Sequence, residues 1–188
     1  MYKRQILDVA TGTGDLAIAL ARRIRDVQVM GVDLSEEMLA VARRKVEARG
    51  LDSRIVLERG DAEHLEVADA SVDAATVAFG VRNFGDLAAG LRELARTIRP
   101  GGKVVILEFS RPRNRVFRAL YEFYSYKILP RIGGLVSRDK RAYEYLPASV
   151  GEFPAPAEFL GMMEKAGFRN CRAKSQSCGI AQIYIGER

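Results

Sequence analysis

Histidine and cysteine are scarce in this 188-residue chain, with one of the first and two of the second. A lone histidine, His64, excludes a metal centre built from several imidazoles, and no metal is expected. Cys171 and Cys178 lie near the C-terminus in neither a ligand spacing nor a disulfide framework; they read as two free thiols on neighbouring strands. A reducing cytoplasm is the expected setting. No apolar run approaches the roughly 18 residues of a membrane-spanning helix. Met1-Tyr2-Lys3-Arg4 leads straight into a strand-like run, so no signal peptide is expected. The sequence carries no repeat, low-complexity tract or interdomain linker.

What is present suits one globular domain, residues 1–188. Hydrophobic residues make up 48% and charged residues 29%, and a chain of this size buries roughly 70% of its unfolded surface. The net charge of +6 is uneven. Arg111, Arg113, Arg115 and Arg118 cluster after a strand, and Lys127, Arg131, Arg138, Lys140 and Arg141 follow. Phe117, Tyr121, Phe123, Tyr124, Tyr126, Tyr143 and Tyr145 are interleaved with them. Such a stretch suits an anionic membrane surface, a nucleic acid, or a solvated helical face with its aromatics in the core.

Up to about residue 109, strands and helices alternate, which predicts an α/β fold with a parallel sheet and helices on both faces. Strands are expected at Ile6–Val9, Val27–Val32, from Leu57 to the Gly60-Asp61 turn, at Ser71–Phe79 and at Val104–Phe109. The first helix follows the glycines, from Asp15 to Arg23. A second, Glu36–Arg49, starts after Ser35 as N-cap and stops at Gly50. A third runs from Leu87 to Ile98, and Arg99-Pro100-Gly101-Gly102-Lys103 reads as a helix stop and turn. Residues about 110–154 break the alternation and read as an inserted helical lid. A helix at Ala157–Ala166 and strands at Phe168–Lys174 and Ile180–Gly186 complete the chain.

The first of these units carries the chemistry. In Asp8-Val9-Ala10-Thr11-Gly12-Thr13-Gly14-Asp15, Gly12 and Gly14 permit a tight turn and let a ligand approach the backbone. Asp33, about 20 residues on at the end of the next strand, is placed to accept hydrogen bonds from ribose hydroxyls. Gly12-Thr13-Gly14-Asp15-Leu16-Ala17 also fits the dinucleotide pattern. Asp8 and Asp15, however, bracket the loop with negative charge, which suits a ligand carrying a sulfonium and an ammonium better than a pyrophosphate. S-adenosyl-L-methionine (SAM) is such a ligand. Asp61 and Ala62, at the Gly60-Asp61 turn, are candidates for the adenine edge.

Several words in the chain resemble the quinone-biosynthesis C-methyltransferases, the ubiquinone/menaquinone group of SAM-dependent enzymes. They are the glycine loop, Gly31-Val32-Asp33-Leu34-Ser35, Gly60-Asp61-Ala62-Glu63, Phe79-Gly80-Val81-Arg82-Asn83 and Leu107-Glu108-Phe109-Ser110-Arg111-Pro112. Leu129-Pro130-Arg131-Ile132-Gly133, Tyr145-Leu146-Pro147-Ala148-Ser149, Phe153-Pro154 and Met162-Met163-Glu164-Lys165-Ala166-Gly167-Phe168 continue the series nearly end to end.

The resemblance implies a Rossmann-like class I methyltransferase: a mostly parallel seven-stranded sheet whose last strand is antiparallel, with SAM as cofactor. It implies a prenylated quinol as methyl acceptor, demethylmenaquinol or its benzoquinol counterpart. It further implies a cytoplasmic enzyme able to sit at the inner face of the membrane, and argues against nucleic acid; a homodimer stays open. Relatives carry a helical region ahead of the first strand that helps close the pocket, whereas this sequence opens almost at the strand.

Arg82 and Asn83 are the expected catalytic pair, since the matching residues handle substrate in the family. Arg82 stays protonated and so acts by orienting water and stabilising a phenolate, not as a base. The alternative is a structural ion pair for Arg82 and turn support from Asn83. For SAM, the expected contacts are Asp8, Gly12, Thr13, Gly14, Asp33, Leu34, Met38, Asp61, Ala62 and Ala78. Thr13 offers a hydroxyl and N–H to the methionine end or else stabilises the loop. Met38 packs on adenosine or else joins the core. Ala78 stands where relatives often carry serine, which leaves only its backbone for contact. Phe79, Tyr121, Tyr124 and Tyr145 are candidates for the quinol pocket, although core packing explains the tyrosines as well. His64 invites a general-base role but falls on the adenine side.

Three other functions compete with quinol methylation. One is methylation of another amphiphile, such as a phospholipid or a sterol-like acceptor. The second is a nicotinamide oxidoreductase, which the segments after Asp33 do not suit. The third is a non-catalytic subunit of the same fold that presents quinones to partner enzymes.

Overall fold

The computed structural model describes residues 3–110 and 152–188. Most of the expected lid, with Tyr121, Tyr124, Tyr145 and the basic, aromatic stretch, lies outside the described residues.

The described chain opens with β1 (Arg4–Val9), α1 (Asp15–Arg23), β2 (Val27–Asp33), α2 (Glu36–Glu47), β3 (Ile55–Arg59) and β4 (Val72–Ala78). It continues with α3 (Leu87–Thr97), β5 (Ile98–Phe109), α4 (Pro156–Lys165), β6 (Arg169–Gln176) and β7 (Ala181–Glu187). The strands form one sheet in the order β3-β2-β1-β4-β5-β7-β6. β7 runs antiparallel to both β5 and β6, and the other pairings are parallel. The mixed seven-stranded sheet therefore agrees with the expected class I fold.

Alternation along each strand divides the core between the two faces of the sheet. Leu7, Val9, Val77, Val104 and Ile106 meet Leu91 and Leu94 of α3 and Phe159 and Met163 of α4. Ile6, Val27, Val29 and Ile55 meet Ala17, Ile18 and Ala21 of α1 and Val46 of α2.

Local chemistry sets the helix ends. Ser35 Oγ accepts from Met38 N at 3.3 Å to cap α2, and Asp86 Oδ1 accepts from Ala89 N at 3.0 Å to cap α3. Acids open α2 and basic residues close it, matching the helix dipole.

Element ends shift from expectation in several places, most informatively at α2, β5 and the β6–β7 turn. α2 ends at Glu47, because Arg49 N and Gly50 N bond back to Val46 O and Glu47 O in tighter turns. β5 begins at Ile98 and not at Val104: Gly101 N donates to Arg188 O, and Arg188 N returns to Gly102 O, so the glycine turn stays stitched to the sheet. Cys178 lies in the turn Ser177–Gly179 between β6 and β7, so only Cys171 is on a strand.

Phe159 is fully buried, with its ring 4.6 Å from Tyr184 and 5.0 Å from Phe153. Phe159→Ala is expected to cost about 3–5 kcal/mol through the cavity it leaves. The check is a lower urea midpoint at unchanged m value.

Candidate functional site

The sheet order reverses between β1 and β4, the point at which open α/β sheets leave a crevice at their carboxyl edge. A cleft of about 260 Å³ occupies this point. Its walls are the ends of β1 and β2, the loop Gly60–Glu63 and the loop that includes Gly80 and Asn83.

The glycine loop follows Val9 and Ala10, which line the cleft, but Gly12, Thr13 and Gly14 are not among the lining residues, nor is Met38. Thr11 N donates to Val32 O, and Gly14 N donates to Thr11 O. Gly12 takes φ +56°, and a Cβ there would meet the Met38 side chain at 3.5 Å. Gly80 is needed for a different reason: its Cβ would lie 2.3 Å from that of Ala10, so the ends of β1 and β4 touch only because a side chain is missing.

Asp33, at the tip of β2, binds this loop. One carboxylate oxygen accepts from Gly12 N at 2.8 Å, and the other accepts from Ser35 N at 2.9 Å. An ionised carboxylate has about four acceptor positions, so capacity for a ligand's hydroxyls remains. Asp61 Oδ1 accepts from Glu63 N at 2.9 Å. Glu63 Oε1 accepts from Gly85 N at 2.6 Å and Asp86 N at 2.9 Å, which ties one cleft wall to the next.

Of the expected cofactor contacts, Asp33, Leu34, Asp61 and Ala62 line the cleft. Leu34 and Met38 are exposed apolar side chains, at 59% and 43%. Thr13 turns its hydroxyl elsewhere: it donates to Asp15 and accepts from Lys45 Nζ at 2.9 Å, so its side chain braces α1 against α2. Ala78 is half-buried within β4. Asp8 departs most from expectation. It is 1% exposed beneath the loop, where its oxygens accept from Thr11 Oγ1 at 2.6 Å and Thr76 Oγ1 at 2.7 Å. Burial, the largest cause, pushes its pKa up to about 6, and nearby Asp33 adds to the rise.

On the loop after β4, Phe79 is 37% exposed with φ +58°. Asn83 is exposed and lines the cleft. Arg82 turns inward: Nη1 donates to Glu108 Oε1 and to Phe79 O, both at 2.6 Å. His64 is exposed and is not among the residues lining the cleft.

Glu108 and Glu63 were missed in the sequence. Glu108 had a signal, since it stands in register with core residues Val104 and Ile106 and a carboxylate there requires a partner. Glu63 had none, because its partners are backbone N–H groups brought close only by folding.

The donor set suits SAM. Among the described residues, Asp33, Asp61 and Glu63 line the cleft and no lysine or arginine does, which favours a cationic ligand over a pyrophosphate. Apolar walls beside an acceptor with spare capacity also suit an adenosine. With the sheet order, this defines the class I SAM-dependent methyltransferase architecture.

Solved structures agree at the level of fold. A SAM-dependent methyltransferase from Aquifex aeolicus aligns over 99% of this chain and 84% of its own, at TM-score 0.70 and 20% identity. The [4+2]-cyclase SpnF aligns over 100% and 76%, at TM-score 0.76 and 19% identity. Sequence goes further. Residues 2–188 match the ubiE/COQ5 methyltransferase family, and the chain belongs to it.

Among its relatives, the ubiquinone/menaquinone biosynthesis C-methyltransferase UbiE of Geobacter sulfurreducens is 47% identical over 98% of this chain and 72% of its own length. The demethylmenaquinone methyltransferase of Thermus thermophilus is 46% identical over 98% and 83%. The chain is thus a SAM-dependent methyltransferase of a family named for quinone biosynthesis.

Asp8 gives this loop a pH signature. With its folded pKa raised above the ordinary 3.8, its contribution to stability is full below that value and is lost as pH rises through about 6. Asp8→Asn removes this titration. Its stability relative to the parent is expected to rise between about pH 4 and pH 7, by at most about 1.4 kcal/mol per pH unit. Paired urea titrations at the two ends of the range check the sign.

Proposed function

We propose that the chain methylates a ring carbon of a prenylated quinol, demethylmenaquinol in the first instance, with SAM as donor. The observation that carries this reading is near-complete coverage of the chain by relatives named for that chemistry. A polyprenylated acceptor resides in the bilayer, so the proposal includes peripheral contact with the inner membrane face. Among the described residues no helix is long and apolar enough to cross a membrane.

SAM, when bound, supplies an electrophilic methyl group on a sulfonium. The residues divide the work of holding it. Asp33 accepts from the ribose hydroxyls while its other hydrogen bonds keep the glycine loop in place. Leu34 and Met38 cover the adenosine, and Asp61 with the backbone of Ala62 meets the adenine edge. The backbone of Gly12, Thr13 and Gly14 receives the methionine end, and the backbone of Ala78 passes beside it. Asp8 acts from beneath, through Thr11.

The acceptor's ring carbon becomes nucleophilic as its neighbouring hydroxyl gives its proton to a water molecule that Arg82 orients. Arg82 stabilises the phenolate that results, and Asn83 orients the ring from the cleft wall. Phe79 offers an aromatic surface to the quinol. Alignment of the ring carbon supplies much of the acceleration, as in other in-line transfers.

The test is incubation with methyl-labelled SAM and a reduced short-chain demethylmenaquinol, with label sought in the ring-methylated product. Labelled product is expected; SAM binding without product would sink the reading, and a reduced benzoquinol and a phospholipid run in parallel identify another acceptor. Asp33→Ala is expected to raise the SAM Kd at least about 10-fold through lost charge-assisted hydrogen bonds. For Arg82→Ala, kcat is expected to fall at least about 100-fold with the SAM Kd unchanged, the size of effect seen when one oxyanion donor is removed. Equilibrium binding and steady-state rates check both.

A further inference from the structure

Glu108 is fully buried, at a position where β5 otherwise turns Val104 and Ile106 into the core. A carboxylate removed from water costs several kcal/mol unless it is paired and hydrogen-bonded. Both oxygens of this one are hydrogen-bonded. Oε1 accepts from Arg82 Nη1 at 2.6 Å and from Phe109 N at 2.8 Å, and Oε2 accepts from Arg82 N at 3.2 Å. Glu108 therefore grips both the backbone and the side chain of Arg82. The Arg82 side chain is 10% exposed and its Cζ sits 5.5 Å from the Phe109 ring centre.

A guanidinium is planar and rigid, so fixing one nitrogen between two acceptors fixes the whole group. Nη1 is the nitrogen so fixed, between Glu108 and the Phe79 carbonyl. Nε is buried and, among the described residues, has no hydrogen-bond partner. The donors left unused thus belong to the opposite edge of the group. Arg82 is not itself among the residues lining the cleft, but Gly80 and the adjacent Asn83 on the same loop are.

We infer that Glu108 is a positioning residue for methyl transfer: it holds Arg82 by Nη1 and by its backbone N–H, and so reserves the guanidinium's other edge for the acceptor's oxygen. This inference rests on the proposed role of Arg82. A purely structural ion pair, stapling the end of β5 to the turn after β4, is the competing explanation.

The experiment uses the full chain with Glu108→Gln, Arg82→Ala and the double variant, assayed with labelled SAM and reduced short-chain demethylmenaquinol. Glu108→Gln keeps the shape and removes the charge. It is expected to lower kcat about 10-fold or more while the SAM Kd stays within about 2-fold, and to add nothing on top of Arg82→Ala, as for residues acting as one unit. Unchanged kcat in Glu108→Gln, or losses that multiply in the double variant, would overturn it. So would a kcat loss that simply follows a loss of folded protein or of SAM affinity.

If Glu108→Gln does not fold, Glu108→Asp, which keeps the charge but draws it back, is judged by the same criteria; failure of both to fold assigns the residue to structure alone. An active Arg82→Ala would instead remove the role of Arg82 and this inference with it. An inactive Arg82→Ala beside a fully active Glu108→Gln would remove this inference only.

Discussion

The Asp33 carboxylate is the fixed point of the site. It stands where β2 ends, and it accepts from Gly12 N on one side and Ser35 N on the other. The first bond anchors the glycine loop after β1, and the second anchors the entry to α2. Two connections at the carboxyl edge of the sheet are therefore registered against one side chain. The cost of ordering a glycine-rich loop is met within the protein before any ligand arrives, which is the physical content of preorganisation. Asp8 supports the same loop from below through Thr11. Its raised pKa shows how strongly desolvation weighs against a second carboxylate so near the first.

Charge is sorted along the cleft. The side assigned to adenosine carries Asp33, Asp61 and Glu63. Arg82 does not itself line the cleft; it lies behind the wall proposed for the acceptor, its charge balanced by buried Glu108. A cation held against acids, and a phenolate held against an arginine, need these two environments kept apart. The sheet keeps them apart by placing the acids on the ends of β2 and β3 and the ion pair on β4 and β5. The same scaffold underlies a cyclase as well as methyltransferases, so the chemistry resides in these side chains and not in the sheet.

The alternation of strand and helix, the glycine loop and the acid at the tip of β2 were all legible without coordinates. Each is a local signal: apolar periodicity, a backbone turn that favours glycine, a cap such as Ser35. Asp33, Asp61 and Ala62, expected from turn chemistry, and Leu34 and Asn83, expected from the family resemblance, all line the cleft. Thr13 and Asp8 were assigned contact with the ligand because they adjoin the glycines. Adjacency in sequence does not reveal which way a side chain turns. Thr13 meets Lys45, 32 residues away, and Asp8 meets Thr76, 68 residues away.

Sequence by itself determined the elements, the position of the loop and the family, since each follows from short-range pattern or from words shared with relatives. Tertiary structure alone decided that β7 enters between β5 and β6. It also decided that Gly80 must be bare because Ala10 lies against it, and that Glu108 is the partner of Arg82. These facts depend on strands distant in the chain coming within a few ångströms of one another. Buried charge is the sharpest case: a carboxylate in a core strand announces that it needs a partner, but only the packed sheet shows which partner it has.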